Sequence, residues 1–126
     1  MSVRQWGPPA LWAAFILLLT SIPGSDIPHV SFMSFRDSDK LVHGTMYAIF
    51  AFLAVRSLLR AGRPLLQAVL VVMLGIAIFA AVDEWHQQFI PGRSMDVFDW
   101  LADISGATIG TLAATMASRV RERREA

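Results

Sequence analysis

The chain of 126 residues contains no cysteine, which excludes disulfide bonds and thiolate chemistry. Charged side chains are scarce at 17% of the residues, whereas hydrophobic residues make up 55%. A water-soluble domain has a lower apolar fraction and about 25% charged residues. The scarcity of charge therefore favours a membrane protein. The length fits one domain, which we assign to residues 1–126.

Apolar residues are concentrated in four segments, at about residues 9–22, 41–59, 65–82 and 97–118. A helix needs about 20 apolar residues to cross a bilayer core of ~30 Å. The sequence therefore predicts an all-α membrane protein, built as a bundle of four transmembrane helices. The first segment follows Arg4 like the core of a signal peptide, but no Ala-x-Ala-like cleavage site follows it. We expect a retained first helix.

The charges are sorted between the two ends of these segments. Eight of the eleven Lys and Arg residues lie in the N-terminal stretch, the second connection or the C-terminal tail. The positive-inside rule predicts that both termini and the second connection are cytoplasmic. Eight of the ten acidic residues lie in or beside the first and third connections, which then face outward. These are Asp26, Asp37, Asp39, Asp83, Glu84, Asp96, Asp99 and Asp103.

Helical spacing places polar residues on shared faces at the outward helix ends, because residues three or four apart are neighbours on a helix. The groups are Asp39, His43 and Tyr47 with Lys40 adjoining, then Glu84, Gln87 and Gln88 with Asp83 adjoining, then Asp96, Asp99 and Asp103. Ionisable groups at membrane depth are costly, so they usually face the bundle interior and mark a functional site. A common polar pocket at the outer membrane face is therefore predicted.

Some of these polar residues also have a purely structural interpretation. Asp39 and Asp96 can be N-caps of their helices, which satisfy free backbone N–H groups. The same two residues and Arg93 can be solvated loop charges, and His43 can be a structural hydrogen-bonding residue between helices. Asp103 is different, because it lies about one turn deeper than the neighbouring acid and needs a buried partner.

For Asp103 the partners expected from the sequence are Lys40 and Arg93. The tight turn at residues 90–94 contains Pro and Gly and brings Arg93 over the outer mouth of the pocket. In the fourth segment, Gly106-x-x-x-Gly110 is a close-packing motif of membrane helices. We expect it to pack inside the bundle, so that the adjoining acidic face also points inward.

Three motifs between Asp39 and Gly110 carry a family resemblance. They read Asp39-Lys40-x-x-His43-x-x-x-Tyr47, Asp83-Glu84-x-x-Gln87-x-Phe89-x-Pro91-Gly92-Arg93-Ser94 and Asp96-x-x-Asp99-x-x-x-Asp103-x-x-Gly106-x-x-x-Gly110. In this order and spacing they resemble the VanZ-like family of small bacterial membrane proteins. The resemblance implies a multi-pass protein of the bacterial plasma (inner) membrane. It also implies a link to resistance against teicoplanin-type glycopeptides, which bind cell-wall precursors. One departure is Asp103, where the family usually has Asn.

The first hypothesis for function is action on, or binding of, a lipid-linked cell-envelope substrate or a lipoglycopeptide. Acid–base work needs carboxylates and an imidazole, and an anionic head group needs cationic and hydrogen-bonding side chains. We assign His43, Glu84, Asp99 and Asp103 as catalytic residues, and Lys40, Tyr47, Gln87 and Arg93 as substrate-binding residues.

Two alternatives remain open. One is a non-catalytic protein that binds or excludes amphiphiles. The other is a metal-dependent membrane enzyme, with a divalent ion at His43, Glu84, Asp99 and Asp103; one imidazole with carboxylates suits Mn²⁺, Mg²⁺ or Zn²⁺, but no H-E-x-x-H signature is present. Membrane lipids are expected partners, since the basic tail can rest on anionic lipids. Nucleic acid is not expected as a partner.

Overall fold

The computed structural model describes residues 3–26 and 38–125, with the side chains of 5–26 and 38–124. These residues form four α-helices and contain no strand. The helices are α1 (Val3–Thr20), α2 (Ser38–Arg60), α3 (Leu65–Gln87) and α4 (Val97–Glu125). The predicted all-helical class is confirmed for the described part of the chain. Arg36 and Asp37, predicted to lie in the first outward connection, fall outside it.

Helix α1 begins earlier than predicted, at Val3, and continues through Pro8 and Pro9. A proline inside a helix lacks the N–H that bonds to the carbonyl four residues earlier. For Pro9 that carbonyl belongs to Gln5, and the Ser57 hydroxyl of α2 donates to it instead. The hydrogen bond from α2 therefore gives the Gln5 carbonyl a partner in place of the helical one that Pro9 cannot supply.

Two other helices end later than predicted. Helix α3 continues to Gln87, which brings Asp83 and Glu84 into the helix proper. Helix α4 continues to Glu125 through its arginine-rich tail, because Arg and Glu are good helix formers even where no apolar face continues. The apolar run marks the part of each helix that packs, whereas the helix itself extends beyond it.

The closest packing joins α2 to α4. A Cβ atom added at Gly106 would overlap the Gly44 carbonyl, and one added at Gly110 would overlap the Ala48 carbonyl. Only glycine allows the two backbones to approach this closely. The expectation that the Gly106-x-x-x-Gly110 motif packs inside the bundle is therefore confirmed. Helices α1 and α3 pack against α2, and α3 also packs against α4.

Helices α2 and α3 are long and apolar enough to cross a membrane. Among the described helices, α1 and α4 do not pass the same test of length and composition, so the predicted four spans are not established by it. Every helix nevertheless exposes large apolar side chains, for example Leu18 of α1 at 70% and Leu112 of α4 at 58%. Exposed apolar surface on this scale marks a membrane or partner contact.

One end of the bundle, here called the polar end, contains the end of α1, the start of α2, the end of α3 and the start of α4. Two connections meet there, because the Gly24 N–H donates to the Pro91 carbonyl at 2.9 Å. Arg93 donates from Nε to the Ile22 carbonyl at 3.2 Å and from Nη2 to the Leu19 carbonyl at 3.3 Å. The guanidinium thus caps the C-terminal end of α1, where the helix dipole favours a cation.

Candidate functional site

The candidate site is a polar cluster at the polar end of the bundle, to which all four helices contribute. Its members are Thr20 of α1, Lys40, His43 and Tyr47 of α2, Asp83, Glu84 and Gln87 of α3, and Asp99 and Asp103 of α4. All of them are buried except Lys40, which is partly exposed. The structure therefore brings together seven of the eight residues assigned from the sequence, namely all except Arg93.

At the centre of the cluster, His43 pairs with Asp103. The His43 Nδ1 atom lies 3.0 Å from Asp103 Oδ1 and 3.9 Å from Glu84 Oε1. The expected partners of Asp103 were Lys40 and Arg93, and the structure supplies a histidine instead. Helical spacing on one chain segment does not reveal which side chain of another helix faces it. A carboxylate on one imidazole nitrogen fixes the orientation of the ring and the role of the other nitrogen.

Glu84 links α3 to the start of α4. Its Oε1 accepts from Gln87 Nε2 at 3.2 Å, and its Oε2 accepts from the Asp96 N–H at 3.0 Å. Asp96 in turn accepts from the Phe98 N–H at 2.8 Å, which makes it the N-cap that was one alternative for this residue. Both oxygens of Glu84 are thus held, so the carboxylate has a defined position.

Asp83 and Thr20 extend the cluster beyond the predicted residues. Asp83 accepts from the Thr20 hydroxyl at 2.7 Å and from the Tyr47 hydroxyl at 3.2 Å. Tyr47, assigned to substrate binding, is fully buried and directs its hydroxyl at Asp83. The acidic pair Asp83-Glu84 was a signal for the first residue. Thr20 carried no comparable signal, since hydroxyl residues at helix ends are common.

Lys40 and Asp99 form the border of the cluster. The Lys40 ammonium lies 3.0 Å from Asp99, 3.4 Å from Asp96 and 3.6 Å from Asp39. The Lys40 side chain is 28% exposed and that of Asp99 is 11% exposed. Arg93 donates to the carbonyls of Leu19, in α1, and of Ile22, just after α1, rather than to these acids. Lys40 and Asp99 are therefore the members of the cluster nearest to its exposed side.

An apolar groove of about 660 Å³ begins at Lys40 and follows the crossing of α2 and α4. Its other lining residues are Leu41, Gly44, Thr45, Ala48 and Ile49 of α2, and Ala102, Ser105, Gly106 and Ile109 of α4. From Lys40 to Ile49 the helix rises about 14 Å at 1.5 Å per residue, roughly half of a bilayer core of ~30 Å. The groove therefore runs from the border of the polar cluster along the exposed apolar surface of α2 and α4.

The cluster combines groups for acid–base chemistry with groups that bind cations. Ligand atoms of His43, Glu84 and Asp99 all lie within 4.8 Å of one another. Of the four residues considered for a divalent ion from the sequence, three are thus grouped, and the fourth, Asp103, contacts the histidine. The same imidazole and carboxylates are suitable for moving a proton.

A family model described as VanZ/LLP1 matches residues 9–118. The match covers all three motifs and the whole polar cluster. Comparison with curated proteins and with solved structures gives no match.

Proposed function

The chain belongs to the VanZ/LLP1 family, and two of its helices are long and apolar enough to cross a membrane. We therefore propose that it is an integral protein of the bacterial plasma membrane that binds an amphiphile of the cell envelope. The amphiphile is a lipid-linked envelope substrate or a lipoglycopeptide. Its polar head lies at the border of the polar cluster, and its alkyl chain lies in the groove between α2 and α4.

The proposal includes four membrane spans with both ends of the chain in the cytoplasm. Exposed leucines on α1 and α4 support the two additional spans, since such surfaces are costly in water. The eight basic residues at the end opposite the polar cluster support this orientation. The polar cluster then lies at the extracytoplasmic membrane face, where lipid-linked wall precursors and lipid-bearing drugs are found.

One observation carries the proposal: Lys40 belongs both to the polar cluster and to the apolar groove. An amphiphile needs adjacent sites of opposite character, an apolar one for its chain and a polar one for its head. Ligand sites are mostly apolar, with a few convergent polar groups that fix orientation. The groove and the border residues Lys40 and Asp99 have this arrangement.

The His43–Asp103 contact favours an enzyme over a passive binding protein. A histidine oriented by a carboxylate is a common general base, and Glu84 lies 3.9 Å from the same nitrogen. Glu84→Gln distinguishes an enzyme from a binding protein, since it keeps the shape of the side chain but removes its proton-transfer group. An enzyme should lose a factor of about 10² or more in reaction rate, as is typical when such a group is removed, whereas a binding protein should largely tolerate the change.

The proposal is tested by expressing the chain in a sensitive Gram-positive host. We expect the inhibitory concentration of a lipid-bearing glycopeptide to rise more than that of vancomycin, because only the former has an alkyl chain for the groove. Glu84→Gln and Asp99→Asn should reduce this rise at equal protein level. Asp39→Asn is the matched control, since the Asp39 side chain is 61% exposed at the same end. Unchanged inhibitory concentrations on expression contradict the proposal.

A further inference from the structure

We propose that His43, Glu84 and Asp99 bind one divalent metal ion of the Mn²⁺ or Zn²⁺ class. This inference deepens the proposed function and rests on it, because the ion lies at the place where the head group of the amphiphile is proposed to bind. A phosphate or carboxylate head group and a divalent ion are complementary in charge.

The geometry of the three side chains fits an ion. They come from three different helices, α2, α3 and α4, and their ligand atoms lie within 4.8 Å of one another. Two ligand atoms on opposite sides of an ion lie roughly 4 Å apart when each bond is about 2.0–2.2 Å. Small rotations of the side chains therefore bring His43, Glu84 and Asp99 to bonding distance. One imidazole with two carboxylates is a donor set for Mn²⁺ or Zn²⁺.

The negative charge of the cluster also favours a bound cation. Four acidic residues, Asp83, Glu84, Asp99 and Asp103, are buried, and the most exposed of their side chains, that of Asp99, is 11% exposed. Among the described residues, Lys40 supplies the one permanently charged ammonium group that pairs with these carboxylates, through Asp99. Buried charge without compensation is strongly unfavourable. A divalent ion compensates two of the excess negative charges at the point where the carboxylates converge.

An unpaired oxygen gives an independent indication. Asp103 is fully buried, and its Oδ2 has no hydrogen-bond partner in the described part of the chain, while its Oδ1 contacts His43. Buried carboxylate oxygens are nearly always paired, so an unpaired one on the residue that contacts the His43 ligand points to a positive group there. A carboxylate on one imidazole nitrogen is the usual support for a histidine that binds a metal through its other nitrogen. With Asp103 on Nδ1, the proposed metal ligand of His43 is therefore Nε2.

The test is a Mn²⁺ titration of the full chain, purified in detergent micelles, treated with chelator and dialysed. Electron paramagnetic resonance counts the free Mn²⁺. We expect one bound ion per chain, displaced by Zn²⁺. Glu84→Gln and Asp99→Asn should weaken binding at least tenfold, and Asp103→Asn by about 10–100-fold, as for carboxylates that support metal ligands. Asp39→Asn should bind as the natural chain does.

Absence of stoichiometric binding by the natural chain overturns the inference, as does equal binding by all variants. A second measurement uses the natural chain alone. Electron spin-echo spectra of the bound Mn²⁺ should show coupling to an imidazole ¹⁴N. Absence of that coupling contradicts a His43 ligand. No lipid or drug is present in the titration. A chain that raises drug tolerance without binding Mn²⁺ therefore overturns the metal site alone, and one that binds Mn²⁺ without raising tolerance overturns the proposed function alone.

Discussion

At the scale of single residues, the buried carboxylates connect different helices. Asp83 accepts hydroxyl groups from α1 and α2, Asp103 contacts His43 of α2, and Asp99 binds Lys40 of α2. Each contact joins an acid to a partner distant in sequence. The cluster therefore fixes the relative positions of the helices as well as supplying chemical groups.

Thr20→Val tests this connection, because it keeps the shape of the side chain but removes one of the two hydroxyl donors to Asp83. Leaving a buried acceptor short of a donor costs about 1–3 kcal/mol. We expect the free energy of unfolding in micelles to fall by that amount. Ser21→Ala is the control, since its hydroxyl donates to the Leu17 carbonyl in an exposed hydrogen bond; surface changes stay within about 0.5 kcal/mol. An equal effect of both changes contradicts the connecting role.

Most residues of the cluster were predictable from the sequence, but their partners were not. The i, i+4 spacing placed His43, Glu84 and Asp103 on inward faces, because helix geometry is local. The pairing of His43 with Asp103 depends on how α2 rotates against α4, which is a property of two segments 60 residues apart. Thr20 was missed for the same reason, since its role exists only through Asp83.

At the scale of helices, the crossing of α2 and α4 carries both the groove and the cluster. Gly106→Ala should disturb it, because the added Cβ would overlap the Gly44 carbonyl. Overpacking of this kind costs typically about 1–3 kcal/mol, and we expect a lower unfolding midpoint in micelles. Gly75→Ala is the matched control in α3, where an added Cβ meets nothing within 4 Å. If both variants unfold alike, the close approach of α2 and α4 is not what stabilises the bundle.

The Gly106-x-x-x-Gly110 spacing correctly predicted that this face of α4 packs inside the bundle, since small residues four apart in an apolar helix are typical of close helix packing. The helix ends were less predictable. Helix α1 continues through two prolines, and the Ser57 hydroxyl of α2 donates to the Gln5 carbonyl that Pro9 leaves without its helical partner. Arg93 was placed over the pocket by its turn, but it caps α1. Both outcomes depend on contacts between helices, which local sequence patterns do not contain.

At the scale of the whole molecule, the orientation in the membrane decides which compartment the cluster faces. The chain has no cysteine, so single introduced cysteines report unambiguously. Ser25→Cys and Ser94→Cys lie at exposed positions at the polar end, and Pro64→Cys lies at an exposed position in the opposite connection. In intact cells, an impermeant maleimide should label the first two and spare the third. Labelling of Pro64→Cys alone contradicts the orientation.

The most direct test of the central claim is photolabelling of the chain in nanodiscs by a lipid-linked pyrophosphate that carries a photoreactive group in its alkyl chain. We expect labels on the lining of the α2–α4 groove. They should be lost in Ser105→Phe, whose larger side chain fills the groove, and retained in Thr108→Phe. Thr108 is an equally exposed residue of α4 outside the groove, with the same hydroxyl-to-backbone bond as Ser105. Labels spread evenly over all lipid-facing helices, or unchanged in Ser105→Phe, contradict the claim that this groove receives an amphiphile for the polar cluster.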